Sequence, residues 1–471
     1  MKKGFIAIAF LLLTFYCAKA QTILTLKDCI ALAYKYNPQI RSAELQAQIA
    51  KIDWNSAKYS MLPSLSMGVN HGYNFGRSID RFSNQFVTNR ILTDYFSMNA
   101  DWVVFNGFQK QNSLRASRFN YQAGMKELEA YKNQVALNVA SAYLSLLLSK
   151  ELVKSMESQV NASREQLERT KKLVLSGAAD RSAELGLEAQ LANENLSLVE
   201  ALNQKEMARV NLLNLILLPP ADNWDIEEPS VNQTDSPVFE LDAVYQNALK
   251  NVPDIQSSLL KVQSAEMSEK VNRGMQLPMV SIYANMSTVF SQNALQITNM
   301  TPIGTQTIGY VDGTNQPVLQ PTYRTETKVV PFNEQLNNNF GRTVGVSFSW
   351  NIFNGMYVQH NIQKSKLNRD IQQQNLQQTQ NTLKANIAKS IADYNASIAK
   401  KIAAQKSLDA AQLQMDFAVK RFENGLMNFF DYTNAKNQLL KAEIAVLQAK
   451  YEWLFNRMVV EFYNGNTIEI R

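Results

Sequence analysis

Residues 344–352 read VGVSFSWNI. Val344, Val346, Phe348, Trp350 and Ile352 alternate with Gly345, Ser347, Ser349 and Asn351. Successive side chains of a strand point to opposite faces, so one face here is apolar and the other small and polar. The pattern occurs three more times. In 65–75, Leu65, Met67, Val69, His71, Tyr73 and Phe75 alternate with Ser66, Gly68, Asn70, Gly72 and Asn74. In 96–104, Phe96, Met98, Ala100, Trp102 and Val104 alternate with Ser97, Asn99 and Asp101. In 280–290, Val280, Ile282, Ala284, Met286 and Phe290 lie opposite Ser281, Asn285 and Ser287. Each segment has about the length, 9–11 residues, that a tilted strand needs to cross a bilayer.

A single segment of this kind would equally suit a soluble sandwich with one buried face. Two features favour lipid. Aromatic residues gather near the segment ends (Phe75, Tyr95, Trp102, Phe105, Phe290, Trp350, Phe353), as in an interfacial girdle, and the opposite face suits a wet lumen. Four strands cannot close a barrel, and an open edge in lipid would leave backbone groups unpaired. The fold therefore demands oligomerisation, and three chains would supply twelve strands.

The chain is also written twice. Residues 26–63 align without gaps on 241–278, an offset of 215: Leu26, Ala33, Lys35, Pro38, Ile40, Leu62 and Pro63 recur as Leu241, Ala248, Lys250, Pro253, Ile255, Leu277 and Pro278. Further on the offset is 248, carrying Phe105-Asn106-Gly107 to Phe353-Asn354-Gly355 and Gly177 to Gly425. Repeat one is expected over 21–218, with strands near 64–75 and 95–105, a long helix near 107–176 and a return helix near 182–218. Repeat two spans 241–471, with strands near 279–290 and 343–353 and helices near 355–424 and 430–464. The acidic, proline-rich stretch 219–240 reads as a linker, and 291–342 as a loop of more than fifty residues, long enough to be unusual.

From Gly107 to Gly177 is 70 residues, as is Gly355 to Gly425. A continuous helix of that length would be roughly 100 Å long against about 30 Å of hydrocarbon. Its polar residues place it in water. Val139, Leu146, Val153, Val160, Leu167 and Val174 recur every seven residues, which marks a coiled-coil seam. The series in copy two is Ile387, Tyr394, Lys401, Leu408, Met415 and Phe422, where Lys401 marks a place at which that face meets water. Helices continuing from strands closed in a ring form a ring themselves. A hollow helical tube in line with the barrel is the expected architecture.

The 471 residues carry a net charge of +6. Lys2 and Lys3 precede an apolar run, and Ala18-Lys19-Ala20 closes it, which reads as a secretory signal peptide over 1–20. Removing that segment takes away three lysines and leaves a charge near +3, too little for a nucleic-acid partner. It also removes Cys17, which the bulky Tyr16 before it disfavours as a lipid anchor, and leaves Cys29 alone, so no intrachain disulfide is expected.

Taken in order, these motifs resemble the TolC family of outer-membrane efflux and export channels. The resemblance covers nearly all of 24–464. It rests on Asn37-Pro38-Gln39-Ile40 with Val252-Pro253-Asp254-Ile255, Leu62-Pro63, the doubled Phe-Asn-Gly, and Arg421-Phe422-Glu423-Asn424-Gly425-Leu426 followed by Asp431. It implies a homotrimer with a 12-stranded β-barrel in the outer membrane, four strands per chain, and an α-barrel of long antiparallel helices crossing the periplasm. A periplasmic adaptor and an inner-membrane pump would dock below, and the channel would be the passive exit duct of a tripartite efflux pump or type I secretion system. Gly177, Gly425 and Leu426 would sit at the periplasmic tips that meet the adaptor. Asp431 matches the first acidic position of the family's entrance constriction. The second is Asn434 here, so the ring of carboxylates is thinner. Phe422 and Met427 stand where the family has a tyrosine and an arginine, and copy one offers Ala183 or the shifted Glu184 for a matching aspartate. Closure is therefore expected to rely more on helix packing than on a polar lock.

Asn74-Phe75-Gly76-Arg77 resembles Asn339-Phe340-Gly341-Arg342 at an offset of 265, which belongs to neither duplication register. Arg77 and Arg342 are candidates for an arginine cluster at the outer mouth that holds loops or contacts lipid head groups. Coincidence accounts for the likeness equally well. No catalytic, cofactor or metal residues are assigned, because His71 and His360 lack ligand-spaced partners and no phosphate loop or nucleophile elbow occurs. The alternative to a channel is a periplasmic coiled-coil adaptor or scaffold with a soluble β domain.

Overall fold

A computed structural model describes residues 22–79, 86–88, 90–177, 180–217, 224–228 and 237–468. The signal-peptide stretch, with Cys17, lies outside them. In chain order the elements are β1 (Thr22–Leu24), α1 (Leu26–Tyr36), α2 (Pro38–Tyr59), β2 (Ser64–Asn74), β3 (Ser78–Ile79), β4 (Phe86–Val87), β5 (Ile91–Asn106), α3 (Gln109–Leu175), α4 (Arg181–Ile216) and β6 (Trp224–Ile226). There follow α5 (Leu241–Asn251), α6 (Pro253–Gly274), β7 (Met279–Ser291), β8 (Leu295–Tyr310), β9 (Pro317–Val329), α7 (Phe332–Asn338), β10 (Gly341–Ser349), α8 (Tyr357–Glu423) and α9 (Phe429–Tyr463). The chain is mixed and mostly helical. It divides into a helical unit, made of 118–264, 369–471 and the stretch up to Lys51, and a second unit of 52–117 and 265–368.

The helical unit starts with a helix broken by proline. Thr25 and Asp28 form a capping box on α1, and Asn37 Oδ1 accepts from Gln39 N at 2.8 Å to start α2, with Pro38 at its first position. Cys29, Ala33, Ile40, Val139, Tyr143, Leu212 and Trp453 fill one core. Val139, Leu146, Val153, Val160 and Leu167 are all buried along α3. An 18-residue window of α3 is apolar enough to pass for a membrane span, yet 56% of it is buried inside the chain. The stretch read as a linker also contributes a strand. β6 pairs in parallel with β1, Tyr143 Oη donates to Glu227 O at 2.7 Å, and Lys150 Nζ meets Asp225 at 2.9 Å. Three residues are too few to show a period in sequence, which is why 219–240 reads as aperiodic.

Lys401 is partly exposed, and its Nζ stands 4.0 Å from the centre of the Trp453 ring, so this point of the seam is shared between an aromatic face and water. Burial, then the charge of Lys450, pushes its amine below the ordinary lysine value.

In the second unit, four strands form one antiparallel sheet in the order β10-β7-β5-β2. The stretch 291–342 is not a bare loop. It folds into the β8–β9 hairpin and α7, whose buried Gln335 ties the hairpin base by accepting from Ser291 N and donating to Val330 O. Pro302 and Gly304, together with register shifts at three places in β8, break the alternation that would have exposed this hairpin to a sequence reading.

Candidate functional site: the sheet, its outer rim and the helical tips

Strand pairing turns the four alternating segments into two continuous faces. Leu65, Ala100, Ala284 and Val344 stand in one row across the sheet, and Met67, Met98, Met286 and Arg342 in the next. On the other face Ser66, Asn99, Asn285 and Thr343 are aligned, and Asn285 Nδ2 donates to Asn99 Oδ1 at 2.6 Å. The apolar face is open: Leu65 is 69% and Val344 78% exposed. So much apolar surface on a sheet needs a cover of lipid or protein.

The duplication is carried into the hydrogen bonds. Ser64 pairs with Asp101, and Met279 with Ser349, which is the same pair moved by 215 on one strand and by 248 on the other. Trp102 Nε1 donates to Met61 O at 2.9 Å, and Trp350 Nε1 donates to Gln276 O at 3.1 Å. Both tryptophans therefore pin the last turn before the Leu-Pro pair, Trp102 from within β5 and Trp350 from the residue after β10. In sequence they read only as girdle aromatics, and the doubled spacing was the available clue to this second role.

Arg77 and Arg342 do not meet within the chain. Arg77 follows β2 and stacks over Phe86 at 4.8 Å, while Arg342 lies in β10, over Phe340 at 4.8 Å. The strands concerned, β2 and β10, are the opposite edges of the sheet. His71 Nδ1 and Asp94 Oδ1 are 2.5 Å apart near the same rim. Among the described residues no group of His, Cys, Asp and Glu could hold a metal ion.

At the other end of the long helices, Gly177 and Gly425 both adopt positive φ, +75° and +68°. Leu426 N donates to Arg421 O at 2.8 Å and Gly425 N to Phe422 O at 3.1 Å, the paired bonds of a Schellman turn. Leu426 is left 72% exposed. Asn428 then caps α9: its Oδ1 accepts from Asp431 N at 2.8 Å, and its Nδ2 donates to Asp431 Oδ2 at 2.9 Å. Asp431 is thus held by the cap Asn428 through both its backbone and its carboxylate, which stays exposed, and Asn434 is exposed three positions along the same helix face. Phe422 stacks on buried Tyr432 with ring centres 4.6 Å apart. Phe429 lies against Gly186, where a β-carbon would come within 2.5 Å of its ring. In copy one, Glu184 is buried and paired with Arg181, and Asp180 caps α4. These tips frame a cleft of 820 Å³ bordered by Arg169, Asp180, Phe422 and Phe430.

Sequence reasoning missed a buried polar cluster near this end. Lys436 of α9 pairs with Glu194 of α4 at 3.0 Å, and both are bonded to Ser163 of α3. Gln190 Nε2 also donates to Glu194 Oε1, at 2.8 Å.

The sequence profile of the outer membrane efflux protein family matches residues 29–216 and 244–461, one block in each copy. The chain belongs to this family. It is similar to the outer membrane efflux protein BepC of Brucella suis, with 21% identity over 428 residues, covering 91% of this chain and 82% of that one. It is similar to the outer membrane protein TolC of Escherichia coli K12, with 22% identity over 446 residues, 92% of this chain and 80% of the other. Among solved structures, CusC superposes with a TM-score of 0.75 at 16% identity, over 94% of this chain and 92% of that one. The CmeC outer membrane channel of Campylobacter jejuni does so with 0.73 at 19%, over 94% and 86%. This outer membrane efflux protein thus has the fold of those channels, and family membership favours the channel reading over a periplasmic scaffold.

Proposed function

We propose that three copies of this outer membrane efflux protein close one passive duct through the outer membrane and periplasm. The observation that carries the reading is the four-stranded sheet: its apolar face is exposed, and among the described residues no strand lies beside its edges β2 and β10. Such a sheet is unstable in lipid alone, because each unpaired backbone group in hydrocarbon costs several kcal/mol. Closure by two further copies satisfies both edges and turns the Ser/Asn/Gly face toward a water-filled lumen. The long helices, polar on their outer sides, stand in the periplasm. Transport energy comes from an inner-membrane pump that reaches the duct through a periplasmic adaptor, and the turns at Gly177, Gly425 and Leu426 are the docking points for that adaptor. Asp431 from three copies, with Asn434 one turn away, rings the periplasmic entrance. The Phe422–Tyr432 stack and the Lys436–Glu194 pair hold the entrance helices together. Membrane fractionation with native mass measurement and single-channel recording tests the reading. A trimeric, conducting outer-membrane species is expected, and Asp431→Ala should lower its cation preference. A monomer that forms no channels would refute the duct.

A further inference from the structure

The two offsets of the duplication hold in the strand pairing, because they carry the β2–β5 register onto the β7–β10 register without a slip. The same offsets can be applied to the pairing between copies one and two, β5 with β7. There, Thr93 pairs with Ser291 and Asp101 with Tyr283. Moving β5 forward by 248 gives β10, and moving β7 back by 215 gives β2. The images of these pairs are Gly341 with Gly76 and Ser349 with Gly68.

We propose that β10 of one copy pairs with β2 of the next in this register, and that the two Asn-Phe-Gly-Arg motifs meet there as a reciprocal clasp. The inference rests on the trimer reading above and adds its seam. Three observations support it. The faces agree: Val344 falls opposite the next copy's Tyr73, Phe348 opposite Val69, and Ser347 opposite Asn70, so apolar residues stay with apolar and polar with polar. A slip of one residue would reverse every one of these matches. The motifs agree independently. Their offset of 265 fits neither duplication register, so they are not images of each other in the repeat. Yet the register derived from the repeat sets Gly341 against Gly76, Arg342 against Phe75 and Phe340 against Arg77. Finally, the ingredients of the clasp are available. Phe75 is 77% exposed, and each arginine already lies on one aromatic of its own chain, Phe86 or Phe340. The guanidinium of Arg342 would gain a second ring in Phe75, and that of Arg77 would gain Phe340. Gly76, with φ +104°, turns the chain just past the last residue of β2, so the clasp lies at the rim, beyond the ladder proper. Arg342 lies in the apolar row with Met286, and arginine beside aromatic residues suits the level of lipid head groups.

Paired cysteines read the register directly. Cys29 is buried, so introduced thiols are the reactive ones. Asn70→Cys with Ser347→Cys, and separately Tyr73→Cys with Val344→Cys, should link into covalent trimers on oxidation in outer-membrane vesicles. The two pairs occupy alternate ladder sites, so one of them has the closer spacing whichever is hydrogen-bonded. Pairs shifted by two residues, Asn70→Cys with Ser349→Cys or with Gly345→Cys, should link about tenfold more slowly or less. A shifted pair that links as fast, in protein of trimeric native mass, overturns the register and leaves the trimer standing. A monomeric native mass removes the proposed function with it. For the clasp, Arg77→Ala and Phe340→Ala should each lower the temperature at which the trimer dissociates in detergent by several degrees, and the combination should lower it no further. Additive losses would overturn the clasp while leaving the register in place.

Discussion

Phe105-Asn106-Gly107-Phe108 and Phe353-Asn354-Gly355-Met356 have one backbone and two environments. Gly107 and Phe108 adopt φ of +64° and +61°, and Gly355 and Met356 adopt +65° and +66°. Asn106 Oδ1 accepts from Lys110 N at 3.4 Å, and Asn354 Oδ1 from Val358 N at 3.5 Å. The surroundings differ. A β-carbon on Gly107 would stand 2.2 Å from Gly274 O, whereas one on Gly355 would meet nothing within 4 Å. Four residues determine how a strand hands over to a long helix, but what packs against the turn depends on which repeat is next to it. Copy one has copy two beside it within the chain. In the proposed trimer, the open flank of copy two would receive the counterpart of the α6 end, the region of Tyr59, from a neighbouring copy.

The strongest test of this contrast is a pair of alanines. Gly107→Ala combines a left-handed φ with a collision against backbone and should cost about 3–5 kcal/mol or prevent folding. Gly355→Ala in dissociated chains should cost only the conformational strain, about 1–2 kcal/mol. Denaturant unfolding of each variant in detergent measures both. In assembled protein, Gly355→Ala should additionally weaken the trimer, because the vacant flank is then occupied. Equal losses in monomeric protein would erase the distinction between the junctions.

A smaller difference is expected along the long helices. Val153 is buried on the α3 seam, and its counterpart in α8 is Lys401. Val153→Ala should cost about 1–3 kcal/mol through the cavity it leaves. Lys401→Met should change stability by less than about 1 kcal/mol at neutral pH, since the lost cation–π contact is offset by relief of desolvation and of repulsion from Lys450. The sign with pH separates the two. The folded chain holds the Lys401 amine below its unfolded value of 10.5, so the folded state disfavours the charge. Stability of the wild type should therefore rise as pH climbs through the window between the lowered value and 10.5, and Lys401→Met should lack that rise. Denaturation midpoints at pH 7 and pH 10 decide it.

These contrasts also show what was legible in the residues themselves. The four strands, the long helices and their joins were readable because a period of two, a period of seven and two constant offsets each impose a repeated constraint on residue type. The β8–β9 hairpin escaped because bulges shift its alternation and proline interrupts it. At the tips, the glycines could be read from the positive φ they permit. The surroundings of Asp431 were only half readable, because its spacing does not show that Asn428 bonds both its backbone and its carboxylate. Lys436, Glu194 and Ser163 left no trace at all: they come from three helices, have no fixed spacing, and each one alone resembles an ordinary solvated polar residue.

The tryptophan pair tests whether the repeats are alike where they should be. Trp102→Phe and Trp350→Phe each remove one hydrogen bond to the carbonyl before Leu-Pro, and each should cost about 1 kcal/mol. Losses differing by more than that would mean that only one copy uses the bond.

The mildest change expected is at Cys29, whose image in copy two is Val244. Both are buried, at 0% and 2% exposure, beside alanines that also correspond, Ala33 and Ala248. Burial, and then the charge of Asp28, pushes the Cys29 thiol up to about 12, so it stays protonated at neutral pH and should resist alkylation until the chain unfolds. Cys29→Val imports what the other repeat already uses in an equivalent helix, so it should cost about 1 kcal/mol or less, because the swap adds only one methyl branch and removes no needed hydrogen bond. Thermal unfolding of the variant beside wild type, with maleimide labelling of the native and denatured states, measures both halves. A large loss would mean that the first-turn cores of the two repeats, which share positions and burial, are nevertheless packed to different shapes.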